Sequence, residues 1–253
     1  MLFGISENLQ EQNRIAIKRR ISAVTAVFLT AALLPFALYA LFHFNLLPSK
    51  SVFSSDIQEP VAKVVTSSGT GTAFLINSTT LLTARHVVEN NKVGDQVDLI
   101  FEHSKNKLQA KATVKYIAPS KVVGSADGSV PIEYFLSDVA VLEVPEISDI
   151  EPLALGESET VKNLDEVILI GYPHGDYSIT KGNINSDKYQ GVNLFKLDAA
   201  SNQGNSGGPC ILKDDNTVIG ILVGGNATAQ QGENIALKIA DVKNFLKEAK
   251  IAH

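Results

Sequence analysis

The sequence predicts an all-β protein, a sandwich or a barrel, finished by a single helix. Two observations carry this. From residue 61 onward, short apolar or alternating runs follow one another, each broken by Gly, Asn, Asp or Ser, and strands of that length at that spacing indicate sandwiches and barrels. Only the last stretch, "ADVKNFLKEAKI", carries a helical stripe, with Val242, Phe245, Leu246 and Ala249 at i, i+3, i+4 and i+7 and Asp241 as the expected N-cap. No internal repeat or low-complexity segment interrupts the pattern.

The elements follow in chain order. Residues 1–20 end in "NRIAIKRR", with Arg14, Lys18, Arg19 and Arg20, and no Asp, Glu, Lys or Arg then occurs across 21–49. The apolar run 21–47 exceeds the roughly 20 residues a helix needs to span a bilayer, and a membrane helix tolerates its Pro35. A cleaved signal peptide has a shorter apolar region, about 7–15 residues, and a small-x-small site. The run therefore reads as an uncleaved transmembrane anchor, with the basic segment 1–20 cytoplasmic and the rest of the chain periplasmic or extracellular. Residues 48–60, polar and bounded by Pro48 and Pro60, read as a linker. A single domain then occupies 61–253. Its expected strands are "VAKVVTS", "GTAFLI", "TTLLTA", "QVDLIF", "KATVKYI", "VAVLEV", "EVILIGY", "NLFKLD", "PCILK", "TVIGILVG" and "NIALKI".

Charge and cysteine bound the chemistry. The formal net charge is −5, and no long basic run follows the first twenty residues. A nucleic-acid groove needs clustered Lys and Arg, so no nucleic-acid partner is expected. Cys210 is the single cysteine, which rules out an intramolecular disulfide.

Three residues stand out for chemistry. Ser206 lies in "GNSGGP", either a turn between strands or a nucleophile held on a bend whose backbone N–H groups are free to bind an oxyanion. A serine hydroxyl needs a general base, and the base needs a partner that fixes its tautomer. His86 follows an apolar strand in "TTLLTARHVV" and is either structural or that base. Asp138 in "FLSDVAVLEV" opens an apolar strand, as a turn acid or as the partner. The chain order His86, Asp138, Ser206 differs from that of α/β-hydrolases and subtilisins.

The blocks "GTAFLINSTTLLTARHVV", "SDVAVLEV" and "LDAASNQGNSGGP" resemble the three catalytic blocks of chymotrypsin-like serine proteases. The likeness covers residues 61–246, with a bacterial flavour similar to HtrA-type proteases and more loosely to glutamyl endopeptidases. It implies two six-stranded antiparallel β-barrels, with His86 and Asp138 in the first and Ser206 in the second. It further implies that Ser206 is the nucleophile, His86 the base and Asp138 its orienting acid, with the N–H groups of Gly204 and Ser206 as oxyanion hole. Its specificity pocket falls on Ala200, Ser201, Leu222, Val223 and Gly224. No metal or cofactor is implied, and the partners are protein or peptide substrates.

Departures from the family pattern refine this. Asn205 stands where digestive members carry the Asp that receives a newly cut amino terminus, so activation by propeptide cleavage is not expected. Ala200 stands where trypsin-like enzymes place an Asp, and Leu222 where glutamyl endopeptidases place a His. Cleavage after small or medium apolar residues is therefore expected. No PDZ module is expected to follow the protease domain. A binding or chaperone protein on the same fold, and a glutamyl endopeptidase, are the competing readings.

Overall fold

A computed structural model describes residues 57–120, 122, 131–225 and 233–252. All of them belong to the compact unit Val52–His253. The segment 1–20, the apolar run 21–47 and most of the linker lie outside the described residues. No helix among the described residues is long and apolar enough to cross a membrane.

The first six strands are β1 (Val61–Thr66), β2 (Gly69–Asn77), β3 (Thr80–Thr83), β4 (Gln96–Ile100), β5 (Gln109–Ile117) and β6 (Ala140–Glu143). They close into a barrel in the order β1-β2-β3-β6-β5-β4. The next six, β7 (Glu166–Gly171), β8 (Ser178–Ser186), β9 (Leu194–Leu197), β10 (Pro209–Leu212), β11 (Thr217–Gly225) and β12 (Asn234–Lys238), close in the order β10-β11-β12-β9-β8-β7. Helix α1 (Ile239–Glu248) follows. The all-β expectation, two six-stranded antiparallel barrels and a C-terminal helix, is met. Closure leaves neither sheet with an unpaired edge.

Burial explains why some strands alternate and others do not. In β4, Val97 and Leu99 point inward while Gln96 and Asp98 face solvent. In β7, residues 167–171 are all buried, because the two faces serve different cores. Val167 and Leu169 join Phe195, Leu197 and Cys210 inside the second barrel. Ile168 and Ile170 join a second, larger cluster that runs through the first barrel and under α1. A strand buried on both faces reads as a continuous apolar run rather than an alternating one.

Three details differ from the sequence reading. Strand β8 was not expected: only Ile184 in it is fully buried, and Thr180, Lys181, Gly182 and Asn183 give no apolar period. Helix α1 begins directly after β12 with Lys238 as N-cap; Asp241 lies inside the first turn and accepts a hydrogen bond from Asn193 Nδ2 at 3.0 Å. The last linker residues pack on the first barrel, with Ile57 and Pro60 buried and the Leu75 N–H donating to the Pro60 carbonyl at 3.0 Å.

Candidate active site

The loop 198–208 between β9 and β10 carries Ser206 and is shaped by glycine. Gly204 has φ +105° and Gly207 φ +86°, left-handed values that side chains other than glycine's rarely adopt. Space forbids a side chain as well: a Cβ on Gly204 would strike the Tyr172 carbonyl, and one on Gly207 the Thr72 carbonyl.

Hydrogen bonds from both barrels fix the loop's peptide planes. The His174 N–H donates to the Gln203 carbonyl at 2.7 Å. In a trans peptide the C=O and the next N–H point in opposite directions, so anchoring Gln203 O also sets where the Gly204 N–H points. Buried Thr72 of β2 reaches across from the first barrel. Its hydroxyl donates to the Gly204 carbonyl at 2.7 Å, and its N–H to the Ser206 carbonyl at 2.9 Å. Among the described residues, the N–H groups of Gly204 and Ser206 have no backbone acceptor, whereas Asn205, Gly207 and Gly208 each donate to one. Two unspent donors flanking a serine can stabilise a developing oxyanion.

The first barrel contributes a histidine and a carboxylate. His86 sits in a 3₁₀ turn, Arg85–Val87, just past the end of β3. Asp138 caps a second 3₁₀ segment, Ile132–Ser137. Asp138 is fully buried and accepts twice from His86: backbone N–H to Oδ1 at 2.9 Å, and ring Nδ1 to Oδ2 at 2.6 Å. An acceptor at Nδ1 favours the tautomer protonated there, which leaves Nε2 as a base. Burial of the imidazole works against its charged form. The hydrogen bond and charge of Asp138 outweigh it, Glu89 adds to them and Arg85 opposes them, so the His86 pKa lies above its ordinary 6.5.

Ser206 stands where two cavities meet. One, about 480 Å³, is lined by His86, Glu89, His174, Gln203 and Gly204 among others. The other, about 440 Å³, is bounded by Ser201, Asn202, Leu222, Gly224, Gly225 and Asn234, with His174 and Gln203 at the shared rim. No hydrogen bond joins His86 to Ser206 among the described residues; in ligand-free enzymes such contacts are often long and tighten only in the complex.

The expected pocket residues divide. Ser201, Leu222 and Gly224 line the second cavity. Ala200 does not: it is exposed, and its carbonyl accepts from the Thr180 hydroxyl at 2.8 Å. Val223 does not either: it lies between Leu222 and Gly224 on the opposite face of β11, where it is buried in the core. Asn234 and His174 are among the lining residues that the sequence reading passed over. Asn234 is buried, accepts from the Ser201 hydroxyl at 2.5 Å and donates to the Ala199 carbonyl at 2.6 Å. His174 sits at φ +55° and borders both cavities. A polar residue opening an otherwise apolar strand was the available signal for Asn234.

The sequence profile of the trypsin-like peptidase domain matches residues 71–221, more than half of the chain. This chain belongs to that family. Relatives of the trypsin-like domain include the magnetosome formation protease MamE of Paramagnetospirillum magneticum, 41% identical over 33% of this chain and 12% of that protein. The periplasmic serine endoprotease DegP of Salmonella typhimurium is 29% identical over 64% and 32%, and the putative mitochondrial protease Do-like 3 of Arabidopsis thaliana 31% over 64% and 27%. The chain thus spans 12 to 32% of the length of these relatives. The crystal structure of an inactive form of Rv3671c from M. tuberculosis H37Rv superimposes with a TM-score of 0.59 at 22% identity, covering 81% of this chain and 92% of that one, which supports the shared fold. The resemblance to chymotrypsin-like serine proteases of the HtrA type is borne out.

Proposed function

We propose that the protein is a serine endopeptidase in which Ser206 attacks a peptide carbonyl, His86 takes the hydroxyl proton and returns it to the leaving amine, and Asp138 orients His86 and stabilises the imidazolium. The Gly204 and Ser206 N–H groups receive the oxyanion of the tetrahedral intermediate. The observation that carries the reading is the buried Asp138 carboxylate held 2.6 Å from His86 Nδ1, in a turn whose histidine opens onto the same cavity as Ser206.

The second cavity takes the side chain before the scissile bond. Its described lining includes no Asp, Glu, Lys or Arg, and burying a charged side chain there without a partner is costly. Small or medium uncharged side chains fit it, with Asn234 and Ser201 adding a polar floor. The apolar composition of the run 21–47 supports a membrane anchor, and the periplasmic relative DegP supports a protease domain outside the cytoplasm. Extraction of the full chain from membranes by alkaline carbonate would contradict the anchor.

The test is hydrolysis of casein by the wild-type chain and by Ser206→Ala, with cleavage sites mapped by mass spectrometry. Wild type is expected to cut, chiefly after Val, Ala, Ile, Leu or Thr, and Ser206→Ala to be inert while keeping its fold. Equal cleavage by the two proteins rejects the nucleophile, and dominant cleavage after Arg, Lys or Glu rejects the pocket reading.

A further inference from the structure

We infer that Arg85 is a positioning residue for the His86–Asp138 pair: its buried guanidinium clamps the 3₁₀ segment that ends in Asp138 onto the turn that carries His86. The inference rests on the proposed triad and adds to it a residue that does not touch substrate.

Arg85 is 5% exposed, and among the described residues none of the ion pairs includes it. A buried cation without an anion is expensive to keep, so its contacts are informative, and all of them reach one segment. Nη1 donates to the Ser137 hydroxyl and Nη2 to the Tyr134 carbonyl, both at 3.3 Å. The guanidinium carbon lies 4.0 Å from the centroid of the Tyr134 ring. Ser137 directly precedes Asp138. The Tyr134 hydroxyl in turn donates to Glu89 Oε2 at 3.2 Å, so residues on both sides of His86 grip the same tyrosine. Stacking plus a planar fork of donors is a task for arginine rather than lysine. The clamp sets the position of Asp138 from outside the pair, while the His86 N–H holds its carboxylate from within.

Charge gives the arrangement a second consequence. The titratable and charged groups around His86 are Asp138 from one segment, Arg85 and Glu89 from its own, and His174 across the cavity, with Tyr134 behind Arg85 and Glu89. The two carboxylates favour a protonated imidazole, and Arg85 opposes it. Removing the guanidinium frees the segment that carries Asp138 to shift against the turn, while the bonds from the His86 N–H and Nδ1 keep the carboxylate on the imidazole, so loss of the positive charge leaves His86 easier to protonate.

The experiment compares wild type, Arg85→Met and Arg85→Lys in the full chain by two readouts. One is the rate of fluorophosphonate labelling against pH. The other is the His86 titration midpoint by NMR in a Ser206→Ala background. Arg85→Met is expected to label about tenfold more slowly or worse, since small misplacements of catalytic groups carry such losses. Its acid limb and NMR midpoint both move to higher pH. Arg85→Lys keeps the charge and loses the fork, so its midpoint stays while its rate falls. An Arg85→Met protein that labels within twofold of wild type with an unmoved midpoint overturns the inference, even if its melting temperature drops. If Arg85→Met does not fold, a wild-type rate in Arg85→Lys overturns it instead. A wild type that fails to label rejects the protease reading, whereas the NMR midpoint still decides the role of Arg85.

Discussion

The loop around Ser206 and the turn around His86 lie in different barrels and are held by different means. The loop is fixed mainly through its backbone: two left-handed glycines, the His174 N–H on the Gln203 carbonyl and Thr72 on two carbonyls. The turn is fixed through side chains, with Asp138 accepting from two atoms of His86 and Arg85 reaching Ser137. Backbone restraint forces particular residues at particular positions, because only glycine fits them. Side-chain restraint needs partners far apart in sequence, 52 residues in the case of His86 and Asp138, and its local marks, a histidine after an apolar strand and an acid before one, are each ambiguous alone. The first kind of site announces itself in one short motif, and the second only when distant blocks are taken together.

Breaking the side-chain half should have the largest effect. Asp138→Asn keeps the shape but offers an amide where His86 needs an acceptor, and turnover is expected to fall about 10⁴-fold, the loss such a change produces in a trypsin triad. A drop below tenfold in kcat/KM would show that another group orients the histidine.

Breaking the backbone half should cost less. Gly204→Ala forces a methyl toward the Tyr172 carbonyl and displaces one of the two proposed oxyanion donors, for an expected loss of about 10²–10³ in kcat, the size seen when a single donor is removed. Circular dichroism should show the fold retained. A variant with more than a tenth of wild-type kcat would remove Gly204 from the oxyanion hole.

The smallest effect is a displacement along the pH axis, and it sharpens the contrast because it reports the side-chain half alone. The folded pKa of His86 is raised above 6.5. The charged pair therefore stabilises the fold fully below about pH 6.5, and that contribution fades as pH rises through the folded value. Catalysis runs the other way, since only neutral His86 can accept a proton. The acid limb of kcat/KM should thus lie above pH 6.5, and a limb below it would contradict the dominance of Asp138 over burial.

The same contrast separates what the sequence revealed from what it concealed. Eleven of the strands were legible because their apolar residues recur at a strand period or run unbroken where both faces are buried, as in β7. Strand β8 was not, because a barrel strand that is largely half-exposed needs no apolar pattern. Ser206 was legible through its glycines. Val223 was assigned to the pocket although strand alternation turns it away from Leu222 and Gly224, which line the cavity, and into the core. Asn234 was passed over because its partners, Ser201 and Ala199, lie 33 and 35 residues away in the chain. Arg85 sits beside His86 in the chain, yet its role depends on a segment about fifty residues later.

The central claim is that Ser206 is an activated nucleophile. The most direct measurement is the stoichiometry and site of labelling by a fluorophosphonate at pH 8, located by peptide mass spectrometry, in wild type and in His86→Ala. Close to one label per wild-type chain is expected, on Ser206, and almost none in His86→Ala at the same time point. An unlabelled wild-type protein, or a label carried by any other residue, would contradict it.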